Sequence, residues 1–142
     1  MSSPARQLLL VKKKETVKVN EAVVVPLLSC ADGVAYTAVI KLGTPPQSYE
    51  VMVDTGSYDS WVVSSKCEDC SPIMKLFDGE ASESFDPVSS DPEKNFFTSE
   101  RKNGAQLTGT KGVDTLTISS LQIPDQEFGQ VTSIPPAFEP CE

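Results

Sequence analysis

Histidine is absent from all 142 residues. That excludes Ser-His-Asp and Cys-His nucleophilic catalysis and every histidine-based metal site. Chemistry in this chain must come from carboxylates, hydroxyls or thiols. No apolar run is long enough to span a bilayer. Leu8–Val11 is too short for the core of a secretion signal, and no small-residue cleavage site follows it, so no signal peptide is expected in this chain. Long amphipathic helices are missing too, because every periodic segment is short and β-like. The expected fold class is therefore all-β, in one domain with a modest core. Positive charge is scarce: the formal net charge is −8, which argues against nucleic acid and anionic membranes as partners. The charge is also uneven. Residues 1–26 hold five Lys or Arg against two Glu, with Lys12-Lys13-Lys14 in a run, whereas residues 67–100 hold nine acids against Lys75 and Lys94. The acidic stretch reads as solvated surface.

What is present is concentrated between Ser48 and Ser64. Tyr49, Val51 and Val53 alternate against Ser48, Glu50 and Met52, the period of a half-buried strand. The strand runs into Asp54, and Thr55, Gly56 and Ser57 follow as tight-turn residues with small hydrogen-bonding side chains. Trp61-Val62-Val63 then resumes a second apolar strand. Taken alone, Asp-Thr-Gly-Ser is equally an ordinary turn, with Asp54 as cap and Gly56 supplying backbone freedom. A carboxylate held between two buried strands and ringed by hydroxyls is also how a reacting acid is fixed in place.

The neighbouring segments decide between these readings. Tyr36–Leu42 reads as a strand that ends in Gly43-Thr44-Pro45-Pro46-Gln47, a five-residue hairpin loop before Ser48–Val53. Trp61 falls seven residues after Asp54, and Cys67 follows. The ordered block YTAVIKLGTPPQSYEVMVDTGSYDSWVVSSKC closely resembles the N-terminal lobe of pepsin-like aspartic proteases. Ser84-Phe85-Asp86-Pro87-Val88-Ser89-Ser90 resembles a further segment of that family, within an otherwise irregular excursion over Ser64–Asn95 that has room for one short helical turn. Phe96-Phe97-Thr98 would return to the sheet. Leu107–Ile118 resembles the outgoing arm of the family's active-site flap and the strand behind it, and Gln122–Gly129 one more strand. The likeness covers roughly residues 34–130. It implies a single, truncated pepsin-like lobe of double-psi barrel or sandwich type over residues 28–142. Residues 1–27 would then be an N-terminal arm or pro-segment remnant plus a first strand, placed in Glu21–Leu28 around Val23-Val24-Val25; a disordered basic arm is an equal reading of residues 1–20.

By the same resemblance, Asp54 would be one half of a catalytic carboxylate pair, and the chain needs no cofactor or metal. Thr55 would tie its loop to a partner loop, Gly56 would let backbone N–H groups approach the carboxylate, and Ser57 would bond its outer oxygen. Trp61 would sit under the flap, and Tyr36 would line or brace the cleft. The partners implied are a peptide or protein substrate and a second lobe, in cis or in trans.

The sequence departs from the family pattern in two places. No second Asp-Thr-Gly or Asp-Ser-Gly follows residue 54; Asp32-Gly33-Val34 and Asp114-Thr115-Leu116 lack the motif and read as turn or surface. The family's flap tip carries a tyrosine, but no tyrosine occurs between 59 and 142. Arg101 stands near its place, and only Gly104 of the tip survives. Pro140-Cys141-Glu142 accordingly reads as a truncation point. Cys67-Glu-Asp-Cys70 sits where the family has a small disulfide loop. A lone CxxC without histidine is a poor zinc site, so a structural disulfide is expected, and with it an oxidising compartment, extracellular or lysosomal/vacuolar. Cys30 and Cys141 can pair or stay free. Three functions follow: an aspartic-type endopeptidase lobe inert by itself, a non-catalytic peptide-binding module, and, less favoured, a homodimeric protease with one Asp54 per chain.

Overall fold

The structure is a computed structural model that describes residues 7–9, 23–30, 32–70, 75–100 and 104–135. Among the described residues, alternating apolar residues and closely spaced turns give nine strands: β1 (Gln7–Leu9), β2 (Leu28–Cys30), β3 (Ala35–Leu42), β4 (Gln47–Val53), β5 (Trp61–Val63), β6 (Asp86–Pro87), β7 (Phe96–Glu100), β8 (Gln106–Ile118) and β9 (Leu121–Ser133). The one helical element among the described residues is a 3-10 turn, Gly79–Ala81, capped by Asp78, whose carboxylate accepts from the Glu80 N–H. The all-β expectation holds.

One sheet runs in the order β1-β4-β3-β8-β9-β5, with β2 added to β3 and both β6 and β7 added to β8. The hairpin β3–β4 turns at Gly43–Pro46, one residue tighter than expected, because Gln47 already pairs with Leu42. Gly43 supports that turn with φ +89. The long β8–β9 hairpin carries register shifts at Thr108/Gly109 and Asp114/Leu116, which bend it so that both ends reach a core.

Side-chain alternation sends residues to opposite faces of a strand, and β5 uses both. Val62 packs with Ile40, Leu42, Tyr49, Val51, Phe77, Leu116 and Phe128. Trp61 and Val63 pack instead with Phe97, Leu107, Val131 and Ile134, and Met52 lies against them. Phe77 centres the first cluster, its ring edge-on to Phe128 at 5.3 Å and tilted against Phe85 at 5.9 Å, separations that suit aromatic quadrupoles.

Two expectations near the N-terminus change. The strand expected over Glu21–Leu28 pairs only from its last residue, Leu28, and Val23–Leu27 joins no ladder; Pro26 has no N–H to donate to one. The basic arm contributes a strand that its sequence did not signal: β1 runs parallel to β4, with Leu9 opposite Val53. The Lys12–Lys14 run lies outside the described residues.

Candidate active site

Asp54 stands where β4 ends, half-buried, in the seven-residue connection to β5. The apolar partners of Tyr49 and Val51 fix the strand, and therefore the point at which the chain releases Asp54. The next residues then fold back onto the carboxylate. The Gly56 N–H donates to Oδ1 at 2.8 Å, and the Ser57 hydroxyl donates to Oδ2 at 2.5 Å. Both oxygens are thus held by charge-assisted hydrogen bonds from the loop itself. A side chain at position 56 would bring its Cβ to 3.3 Å from Oδ1, so a residue without one lets the backbone approach.

The other residues singled out in the sequence fall at different distances from this centre. Thr55 is exposed at the turn. Trp61, seven residues on, is 1 % exposed and forms the floor of the second core cluster, against Leu107 at the start of β8. Tyr36 is 48 % exposed on β3; the register Thr37↔Met52 sets it across from Val53, the residue before Asp54. Gly104 is exposed at φ +81, where only a glycine turns freely. Arg101 lies outside the described residues. Cys67 and Cys70 form a disulfide packed on the Trp61 cluster. Asp69 lies beside them, but the two sulfurs are spent on each other and offer no thiolate to a metal. Cys30 is also disulfide-bonded, and Cys141 lies outside the described residues.

Asp32-Gly33 is a turn, as expected, with φ 54 and 86. Asp114 is not on the surface. It is 1 % exposed in the middle of β8, and its carboxylate accepts from Ser82 Oγ (2.7 Å), Ser84 Oγ (2.7 Å) and the Thr115 N–H (2.7 Å). Ser82 Oγ in turn accepts from the Thr44 N–H at 3.0 Å. Because the Ser84 proton is directed to Asp114, the Thr44 hydroxyl donates in its 2.7 Å contact with Ser84. This knot ties the β3–β4 turn to the loop before β6 and lies at the opposite end of β4 from Asp54. The signal for it was the inward alternation Gly112, Asp114, Leu116, in which an acid takes a core position. A buried carboxylate needs that many donors.

A second buried polar group supports the same end of the sheet. The single Tyr49 hydroxyl proton is shared between Gln47 Oε1 (3.0 Å) and Leu76 O (3.1 Å). Desolvation, with the Asp78 charge second, pushes this phenol well above its ordinary range.

The geometry agrees with the comparison to known sequences. Residues 35–141 match the eukaryotic aspartyl protease family. The chain is 42% identical over 97 residues to gastricsin of Cavia porcellus, covering 67% of this chain and 23% of the relative. Human gastricsin is 38% identical over 97 residues, with the same 67% and 23% covered. Aspartic protease 3 of Toxoplasma gondii is 37% identical over 115 residues, 77% of this chain and 16% of the relative. The chain thus spans about a quarter or less of the length of these relatives. With the family matched across most of its residues, and an Asp-Thr-Gly-Ser loop closed on its own carboxylate between two core strands, this chain belongs to the eukaryotic aspartyl protease family.

Proposed function

We propose that the chain is a catalytic lobe of an aspartic endopeptidase that supplies one carboxylate, Asp54, of a pair that hydrolyses peptide bonds. The observation that carries this reading is the double clamp on Asp54, from the Gly56 N–H to one oxygen and the Ser57 hydroxyl to the other. An ordinary capping aspartate needs one such bond; holding both oxygens fixes the plane of the group, as acid–base work on a water requires.

The chemistry takes two carboxylates across one water. Two like charges in contact cannot both ionise, so one keeps a proton and the other is free to act as base. The base removes a proton from the water as its oxygen attacks the peptide carbonyl, and the protonated partner donates to the carbonyl oxygen. Asp54 supplies one member. The sequence holds no second Asp-Thr-Gly or Asp-Ser-Gly, and Asp114 is committed to its three donors at the far end of β4. The second carboxylate therefore comes from another lobe, and this lobe alone does not turn over peptides. An oxidising, extracellular setting is part of the reading, supported by the Cys67–Cys70 disulfide and the disulfide at Cys30. Cleavage of an unfolded protein at acid pH, with Asp54→Asn in parallel, tests the proposal: the isolated wild-type chain should be as inactive as the variant.

A further inference from the structure

The loop that carries Asp54 also carries the most exposed aromatic ring among the described residues. Tyr58 is 82 % exposed, although Ser57 before it is bonded to Asp54 and Ser60 after it is buried. Its position is tightly bounded. The 2.5 Å bond from Ser57 to Asp54, one Cα–Cα step and the reach of a serine side chain put the Tyr58 Cα within about 9 Å of the carboxylate. Asp59, half-buried, follows directly. Val53 (45 % exposed), the residue before Asp54, and Tyr36 (48 % exposed), across from it on β3, are exposed apolar residues on the strands that lead into this loop. An exposed tyrosine with an apolar body and a polar tip suits contact with a ligand.

Among the described residues, the ionisable side chains of the Asp54–Ser60 loop other than the Tyr58 phenol are both acids, Asp54 and Asp59. No Lys or Arg occurs between Lys41 and Lys66, whereas Asp54 and Asp59 flank Tyr58. Three described lysines have partners away from this loop: Lys66 pairs with Glu80 at 3.4 Å, Lys94 with Asp91 at 3.9 Å, and Lys75 lies over the Tyr49 ring at 5.4 Å; Lys111 lies on β8, opposite Gly129. Lys41 sits opposite Ser48, near the turn end of the β3–β4 hairpin and away from Asp54. An exposed phenol ring on a loop whose own charged groups are acids attracts a cation through its quadrupole and disfavours an acid.

We propose that Tyr58 and Asp59 form a specificity element that selects a basic side chain, Lys or Arg, in a peptide bound at Asp54. The inference rests on the reading of Asp54 as a peptide-processing carboxylate and adds a substrate class to it. The peptide's ammonium or guanidinium lies over the Tyr58 ring, and its charge is matched by Asp59.

The test is binding, so it does not depend on turnover by this lobe. Three peptides are built around an uncleavable hydroxyl-bearing replacement of the scissile amide, with Lys, norleucine or Glu beside it, and titrated at about pH 6 into the protein carrying ring-labelled tyrosine. The three tyrosine signals, Tyr36, Tyr49 and Tyr58, resolve the site, with buried Tyr49 as the control for an intact fold. The expected result is a shift at Tyr58, silence at Tyr49, and ~3- to 10-fold tighter binding of the Lys peptide than of the norleucine peptide, with the Glu peptide weakest. Tyr58→Ala and Asp59→Asn should each reduce that preference, and Tyr58→Phe should keep it. Asp54→Asn should weaken all three peptides. Equal affinity for the three, or a preference untouched by Tyr58→Ala and Asp59→Asn, overturns this inference alone provided binding still depends on Asp54. Binding indifferent to Asp54→Asn, or no binding of any peptide, overturns the underlying reading and this one with it.

Discussion

Ser82 stands 32 positions before Asp114 in the chain, yet its hydroxyl meets the Asp114 carboxylate at 2.7 Å in the buried interior. The pair closes a loop that is otherwise rich in solvated acids, and it explains why an aspartate survives on the core side of β8. Removing the carboxylate leaves the Ser82 and Ser84 hydroxyls and the Thr115 N–H without their acceptor. Asp114→Ala should therefore cost ~3 kcal/mol, and Asp114→Asn, which keeps one acceptor oxygen, roughly half of that. The fall in melting temperature checks it, at ~3 °C per kcal/mol for a chain of this size. A change within about 0.5 kcal/mol, the range of an ordinary surface position, would return Asp114 to the surface.

Two glycines in β8 make a graded comparison. A Cβ on Gly109 would lie 1.9 Å from the Gln130 carbonyl oxygen, a backbone atom of the paired strand. A Cβ on Gly112 would lie 2.3 Å from the Phe85 ring, which can rotate or shift. Gly112→Ala should cost ~1–3 kcal/mol, the range for an overpacked core, and Gly109→Ala more, because the β8–β9 ladder itself must part. Adding Phe85→Leu should recover part of the loss in Gly112→Ala and none in Gly109→Ala. Denaturant midpoints of the four proteins decide it.

The legible parts of the molecule are those where a local pattern and a local cause coincide. Alternation in Tyr36–Leu42 and Ser48–Val53 around a Gly-Thr-Pro turn is enough to place the β3–β4 hairpin, and the chain from Asp54 to Ser57 is short enough for its hydrogen bonds to be foreseen from residue types. Asp114 was misread because its partners, Ser82 and Ser84, lie 30 or more positions away; nothing next to an aspartate announces a distant donor. β1 was missed for a similar reason. Gln7–Leu9 has no alternation of its own and becomes a strand only because β4 offers an open edge at Val51–Val53. Val23-Val24-Val25 shows the converse: strong strand propensity, with Pro26 next to it and no ladder to join.

Tyr49 should give the protein an alkaline limb of instability. The folded phenol resists ionisation because burial, and then the Asp78 charge, oppose it. The unfolded chain loses the same proton near pH ~10. Above that pH the unfolded state binds fewer protons than the folded state, so stability falls as pH rises from about 10 towards the raised folded value, and none of this term is lost below about 10. Tyr49→Phe should flatten that limb while costing ~1 kcal/mol near neutrality through its lost bonds to Gln47 and Leu76. Unfolding curves taken across alkaline pH show it, and Tyr49 phenolate absorbance should appear only with loss of the fold.

The Cys67–Cys70 bridge closes a very short loop, so it constrains the unfolded chain little. Its removal in Cys67→Ser/Cys70→Ser should cost ~2 kcal/mol by the loop-entropy estimate, and the Trp61 cluster on which it packs should stay intact. Equilibrium unfolding followed by Trp61 fluorescence, the chain having one tryptophan, reads both quantities together. A loss well beyond ~4 kcal/mol would mean that the bridge holds the cluster in place.

The central claim is that Asp54 is one half of a peptide-hydrolysing pair whose other half this chain does not supply. It is tested most directly by cleavage of an unfolded protein substrate between about pH 3 and 6, over a range of protein concentrations, with Asp54→Asn alongside and the oligomeric state recorded in the same buffers. The account predicts no cleavage by either protein at any concentration. Cleavage that rises with the square of protein concentration and vanishes in Asp54→Asn would contradict it, because two copies would then be completing the pair between themselves.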